Sequence, residues 1–221
     1  MKIIAINGSP RKNWNTATVL QKALDGAASA AKDVSTELVH LYSEKFDPCL
    51  SCFECKKLGG KSYGRCALQD ELRPVLERIA EADGIILGTP IYFGNLTAKM
   101  QAFIERLCFP FLVYDATATS LAPKKLATAF IYTMNVDYAL MKQFQYDIVL
   151  EKSASALSRV FSEPEQLYVF DTYQFEDYTK YKCERFNEED KSKQRREQFP
   201  KDCENAFALG RAMAGRIVAG S

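Results

Sequence analysis

Histidine is nearly absent from this chain: His40 stands alone among 221 residues, and Trp14 is the one tryptophan. A lone histidine leaves no His/Cys set for zinc, and its neighbours suggest a strand residue rather than a ligand. No Ser-His-Asp triad or paired-carboxylate arrangement is recognisable either, so hydrolytic chemistry has no visible machinery. Long apolar runs are missing, which excludes a membrane span, and the start MKIIAINGSPRKN lacks the apolar stretch and cleavage site of a secretory signal. Charge of one sign is not in excess. A net charge of +1 with both signs interspersed gives no electrostatic case for nucleic acid or an anionic membrane as partner. It also argues against an acidic electron shuttle. There is no internal repeat, no G-x-G-x-x-G dinucleotide fingerprint and no Walker loop.

A hydrophobic fraction of 47% is that of an ordinary globular protein, able to bury a core without staples. The length suits a single domain, residues 1–221, and is short for two enzyme domains. Seven cysteines, an odd number, include four close together at Cys49, Cys52, Cys55 and Cys66. That pattern fits a reducing, cytoplasmic setting and a metal or redox cluster better than a secreted disulfide framework. Cys108, Cys183 and Cys203 are scattered.

Residues 2–6, KIIAI, form an apolar run stopped by the turn formers Asn7-Gly8-Ser9-Pro10, which predicts a buried first strand. Asn15 and Thr16 can cap a helix whose apolar positions Val19, Leu20, Ala23, Leu24 and Ala27 recur at helical spacing. Strands follow over 35–41, 83–88, 126–132 and 166–170. Helices follow over 70–82, 96–107, 140–160 and 203–218. Strands alternating with helices imply a parallel sheet with helices on both faces. Two segments break the rhythm: a Cys-rich insert at 47–66, and an aromatic, charged extension at 171–200. The extension reads as a surface wrap with a solvated helix near 188–198, or as a lid or subunit contact using Tyr173, Phe175, Tyr178 and Tyr181. The segment 109–123 is also long for a connection.

Ligands of open parallel sheets bind at the carboxyl ends of the strands, where strand order reverses. Three loops therefore matter. The first, from Gly8 to Thr16, offers hydroxyls, amides, two cations and a helix N-terminus suited to a phosphate. The second, Thr89-Pro90-Ile91-Tyr92-Phe93-Gly94-Asn95, joins a rigid proline to two aromatics and can hold a flat ring. The third, from Tyr132 to Asp137, adds polar groups at the same edge.

The run Asn7-Gly8-Ser9-Pro10-Arg11-Lys12-Asn13 through Asn15-Thr16, followed by Ala82-Asp83-Gly84-Ile85-Ile86 and Thr89-Pro90-Ile91-Tyr92-Phe93-Gly94, resembles the NADPH-dependent FMN reductase branch of the flavodoxin-like superfamily. The resemblance spans roughly the first 135 residues. It implies an α/β, flavodoxin-like, doubly wound fold: a five-stranded parallel sheet in order 2-1-3-4-5. It implies FMN phosphate on Ser9, Arg11, Asn13, Asn15 and Thr16, and the flavin ring on Pro90, Ile91, Tyr92, Phe93 and Gly94. Thr133 and Asn135 are further candidates. Trp14 stands where the family often has glycine. It alters the loop path or covers the cofactor, or else is exposed beside an intact loop. The spacing Cys49-x-x-Cys52-x-x-Cys55 with Cys66 resembles iron-sulfur flavoproteins, which implies a [4Fe-4S] cluster, although the gap before Cys66 exceeds the usual one.

The implied activity is FMN-dependent NAD(P)H oxidation that reduces a quinone, a nitro or azo compound, free flavin or a metal ion, with the chemistry on FMN and no catalytic side chain. A homodimer or homotetramer is implied as well. An iron-sulfur flavoprotein or flavodoxin-like electron carrier, taking electrons from ferredoxin, is the alternative. A non-enzymatic thiol redox sensor on the same scaffold is the third reading.

Overall fold

The computed structural model describes residues 1–117 and 119–220. Along the chain run β1 (Lys2–Asn7), α1 (Asn15–Ala28), β2 (Ser35–His40), α2 (Leu72–Glu81), β3 (Gly84–Pro90), α3 (Ala98–Cys108), β4 (Ala127–Thr133), α4 (Tyr138–Gln143), α5 (Tyr146–Ser158), β5 (Glu165–Val169), α6 (Glu188–Glu197) and α7 (Phe199–Ala219). The five strands form one parallel sheet in the order β2-β1-β3-β4-β5.

Side chains of a strand alternate between faces, so each apolar strand feeds two cores. Ile4, Ile6, Ile85, Leu87, Phe130 and Tyr132 point to one layer, where Leu72, Val75, Phe103, Leu107 and Leu150 of α2, α3 and α5 cover them. Ile3, Ala5, Ile86, Ala129 and Ile131 point to the other, under Leu20 and Leu24 of α1 and Met213 of α7. Helices α1 and α7 meet almost backbone to backbone. A Cβ at Gly26 would lie 1.9 Å from the Phe207 carbonyl oxygen, and one at Gly210 would lie 1.8 Å from that of Ala23.

Three local expectations need correction. The helix foreseen over 140–160 is two helices, broken where Gln145 takes a left-handed φ of 56°. The closing helix starts earlier, at Phe199, because Pro200 sits in its first turn, where its missing N–H costs nothing. At the start of α1, neither Asn15 nor Thr16 caps the helix; Trp14 is the N-cap residue and makes no side-chain capping bond. Within 109–123 a short helical turn over Phe109–Phe111 leads to a bridge between Leu112 and Ser120. Among the described residues no helix is long and apolar enough to cross a membrane.

Candidate functional site

The carboxyl ends of β1, β3, β4 and β5 are stitched into one edge. Gly8 N–H donates to the Gly88 carbonyl at 2.8 Å, Ile91 N–H to Thr133 at 3.0 Å and Met134 N–H to Val169 at 3.0 Å. Thr97, the N-cap of α3, donates its hydroxyl to the Gly8 carbonyl at 2.8 Å, and Thr16 Oγ1 lies 2.7 Å from Thr133 Oγ1. The loop after β1 turns on itself: Ser9 N–H donates to Asn7 Oδ1 at 2.9 Å and Arg11 N–H to Ser9 Oγ at 3.1 Å. Asn7 Nδ2 lies 2.9 Å from His40 Nδ1, so the single histidine ties the end of β2 to this loop. Burial, with Lys12 nearby, pushes the His40 imidazole below its usual pKa.

Between these loops lies a cavity of about 140 Å³. Nine of the residues expected at a cofactor line it: Ser9, Arg11, Asn15, Thr16, Pro90, Ile91, Tyr92, Thr133 and Asn135. Asn13, Phe93 and Gly94 are not part of that lining. Phe93 and Gly94 instead form the tip of a tight turn closed by paired bonds between Tyr92 and Asn95, at 2.9 and 3.0 Å. Both tip residues take left-handed φ, 51° and 74°, and Phe93 projects wholly into solvent. A non-glycine residue held there is strained.

Two features make the cavity hungry for a ligand. The N-terminus of α1 has no side-chain cap and no acidic residue in its first turn, so its N–H groups and dipole favour an anion. The Oδ1 of Asn135, buried in the lining, has no hydrogen-bond partner, and such an acceptor costs stability until a donor reaches it. An anionic group on a planar body with an N–H edge matches both, and FMN has that chemistry. The residues present therefore fit FMN.

One wall was given no cofactor role from the sequence, where Tyr173 entered only as a lid or subunit contact. Thr172, Tyr173 and Gln174, just beyond β5, also line the cavity, and their carbonyls tie down the first loop. The Tyr173 carbonyl accepts from Trp14 Nε1 at 3.2 Å and from Asn15 Nδ2 at 2.8 Å, while the Gln174 carbonyl accepts from Arg11 at 2.6 Å. The signal was available, since β5 ends at the same sheet edge as its neighbours. Trp14 has an extended backbone, φ −124°, so no glycine-only conformation is needed there. Its ring lies under the Arg11 guanidinium at 5.3 Å.

The cysteines occupy a different place, beside α3. Cys49, Cys52, Cys55 and Cys66 line one recess of about 20 Å³, and all seven cysteines are free thiols. Burial raises the pKa of the Cys55 thiol, the three neighbouring cysteines raise it further, and Lys56 opposes them. The fully buried Arg106 donates to Cys66 Sγ at 2.9 Å and to both oxygens of Asp70, at 2.8 and 3.1 Å. Among the described residues no three His, Cys, Asp or Glu side chains are arranged as they stand to hold a metal ion.

A doubly wound parallel sheet of order 2-1-3-4-5 with its cavity at the β1/β3 switch point defines a flavodoxin-like protein. Residues 1–146 match the sequence pattern of the NADPH-dependent FMN reductases, and the chain belongs to that family. It is 38% identical over 106 residues to an iron-sulfur flavoprotein of Methanocaldococcus jannaschii, covering 48% of this chain and 51% of that one. An iron-sulfur flavoprotein of Clostridioides difficile is 27% identical over 176 residues, 72% of this chain and 76% of the relative. In the Methanocaldococcus match, as in several others of its kind, the chain spans about half the length of the relative. Among solved structures, an azoreductase from Bacillus anthracis shares the fold with a TM-score of 0.67 at 14% identity, over 96% of this chain and 99% of that one.

Proposed function

We propose that this chain is an FMN-dependent NAD(P)H oxidoreductase that reduces a small-molecule acceptor: a quinone, a nitro or azo compound, free flavin or a metal ion. The observation that carries the reading is that one cavity is lined both by the start of α1, an uncapped helix N-terminus, and by Asn135, whose buried Oδ1 has no partner. FMN, when held here, would supply the redox chemistry, hydride transfer from nicotinamide and electron transfer to the second substrate.

The chain's residues bind and orient. Ser9, Arg11, Asn15 and Thr16, with the first-turn N–H groups of α1, hold the phosphate, and Asn13, outside the lining, belongs to the loop that carries them. Pro90, Ile91 and Tyr92 offer an apolar wall to the ring and keep water from it, with Phe93 and Gly94 shaping the turn beyond. Thr133 and Asn135 meet its polar edge. The whole chain works as one flavin-binding unit, the extension at 171–200 included, and it works in the reducing cytoplasm that its free thiols suit. The exposed Phe93 at the mouth suits a second copy of the chain, as a homodimer or homotetramer. Mixing the FMN-loaded protein with NADPH or NADH without oxygen tests this reading. The visible flavin band bleaches and an azo dye or quinone restores it; a band that neither nucleotide bleaches overturns the proposal.

A second reading is favoured by the four cysteines that share one recess, and by relatives named as iron-sulfur flavoproteins. In it the chain is an electron carrier served by ferredoxin, with Cys49, Cys52, Cys55 and Cys66 holding a [4Fe-4S] cluster after the thiols rearrange. Iron and acid-labile sulfide at stoichiometric levels after anaerobic purification would select it over the plain reductase.

A further inference from the structure

Helix α6 carries Glu188, Glu189 and Asp190 in its first turn and Arg195 and Arg196 in its last, the composition of a solvated surface helix. Lys191 breaks that pattern. Its side chain is only 2% exposed, and its ammonium pairs with Asp171 and donates to the Asn135 carbonyl at 2.6 Å. The same ammonium lies 4.7 Å from the centre of the Phe186 ring. Asp171 is held at a left-handed φ of 53°, which a non-glycine residue keeps only when its surroundings over-determine it. One turn further along α6, Arg195 donates to Asn15 Oδ1 at 2.8 Å, and Gln194 donates to the Phe170 carbonyl at 3.4 Å. Residues four apart share a helix face, so one face of α6 grips the loop after β4 through Lys191 and the start of α1 through Arg195.

A buried ammonium is costly unless paired and hydrogen-bonded, and both partners of Lys191 belong to loops at the cavity edge. The bond to the Asn135 carbonyl fixes the backbone of a residue that lines the cavity and whose buried side-chain Oδ1 has no partner. We infer that Lys191 is a positioning residue for the flavin site: through the Asn135 backbone it aims Asn135 Oδ1 at a donor on the ligand, the imide N–H of a flavin ring. The inference rests on the FMN reading and deepens it, assigning the extension a part in binding rather than in wrapping the surface.

The test compares FMN with its N3-methyl analogue, which lacks the imide proton, by fluorescence titration of the full chain, its Asn135→Ala variant and its Lys191→Met variant. The unaltered protein is expected to prefer FMN by about tenfold, the order of one hydrogen bond left unmade in a buried site. Asn135→Ala keeps the carbonyl that Lys191 holds and is expected to abolish the preference. Lys191→Met is expected to lose about tenfold for FMN and little for the analogue. Equal losses for both ligands, or none, would make Lys191 merely structural and overturn the inference. Should Lys191→Met fail to fold, Asp171→Asn, which removes the counter-ion of that ammonium, is read by the same pattern, and a preference that Asn135→Ala retains is equally fatal. An unaltered protein that binds neither ligand sinks the FMN reading itself. One that binds both equally sinks only the role given to Asn135 and Lys191.

Discussion

Thr16 Oγ1 and Thr133 Oγ1 lie 2.7 Å apart, both hydroxyls buried, so the first turn of α1 and the last residue of β4 share a hydrogen bond beneath the cavity. Replacing Thr133 by Val leaves the Thr16 hydroxyl buried without that partner. A buried polar group stranded in this way costs about 1–3 kcal/mol, and in a chain of this size each kcal/mol lowers Tm by about 2–4 °C. Scanning calorimetry should show that fall for Thr133→Val. The double variant Thr16→Val, Thr133→Val should recover part of it, since both polar groups are then gone.

The pair Asp70–Arg106 supports the cysteine recess. Burial alone would raise the pKa of the Asp70 carboxyl, but hydrogen bonds and charge from Arg106 hold it below its ordinary value of 3.8. A lowered folded-state value means the stabilisation is complete above 3.8 and is lost as pH falls through the folded value. Asp70→Asn leaves a fully buried guanidinium without its counter-ion, a change that costs about 3–5 kcal/mol. The gap in Tm between the two proteins should therefore be constant near neutral pH and narrow only in acid below 3.8. A gap that widens in acid would contradict the assignment.

Gly94 and Gly59 make a matched pair. Both have left-handed φ, 74° and 72°, but a Cβ on Gly94 would stand 2.6 Å from the Tyr146 ring, while one on Gly59 meets nothing within 4 Å. Gly59→Ala should cost only the backbone strain, about 1–2 kcal/mol. Gly94→Ala should cost more and shift the turn over Tyr92, so FMN titration should show weaker binding for Gly94→Ala alone.

On α7, alanine should act in opposite directions at two glycines. Gly215 faces open space, and Gly215→Ala should stabilise the helix by about 0.5–1 kcal/mol. At Gly210 the added methyl would meet the Ala23 carbonyl oxygen at 1.8 Å, and separating the packed helices should outweigh that gain. Urea denaturation of the two variants checks the signs.

The sheet was legible because its strands are buried on both faces and read as continuous apolar runs such as Ile3-Ile4-Ala5-Ile6 and Ile85-Ile86-Leu87, each stopped by turn formers. Nine of the twelve residues assigned to the flavin converge on the cavity because the rule for parallel sheets locates loops, not individual side chains. The same rule could not foresee Phe93 turned outward, since the direction of a side chain at a tight turn depends on its φ, and 51° is unusual for phenylalanine. Lys191 was hidden for another reason. In a helix this rich in charge, the lysine that is buried is chosen by partners distant in sequence, Asn135 and Asp171. The break at Gln145 likewise has no glycine or proline to announce it.

Whether the cavity at the ends of β1, β3 and β4 binds FMN is read from the absorption spectrum of the purified protein, with released flavin quantified before and after addition of FMN. Paired flavin bands at one FMN per chain are expected, lost when Arg11 and Asn15 are both replaced by Ala. No bound flavin even after FMN is supplied, or full binding by that double variant, would contradict it.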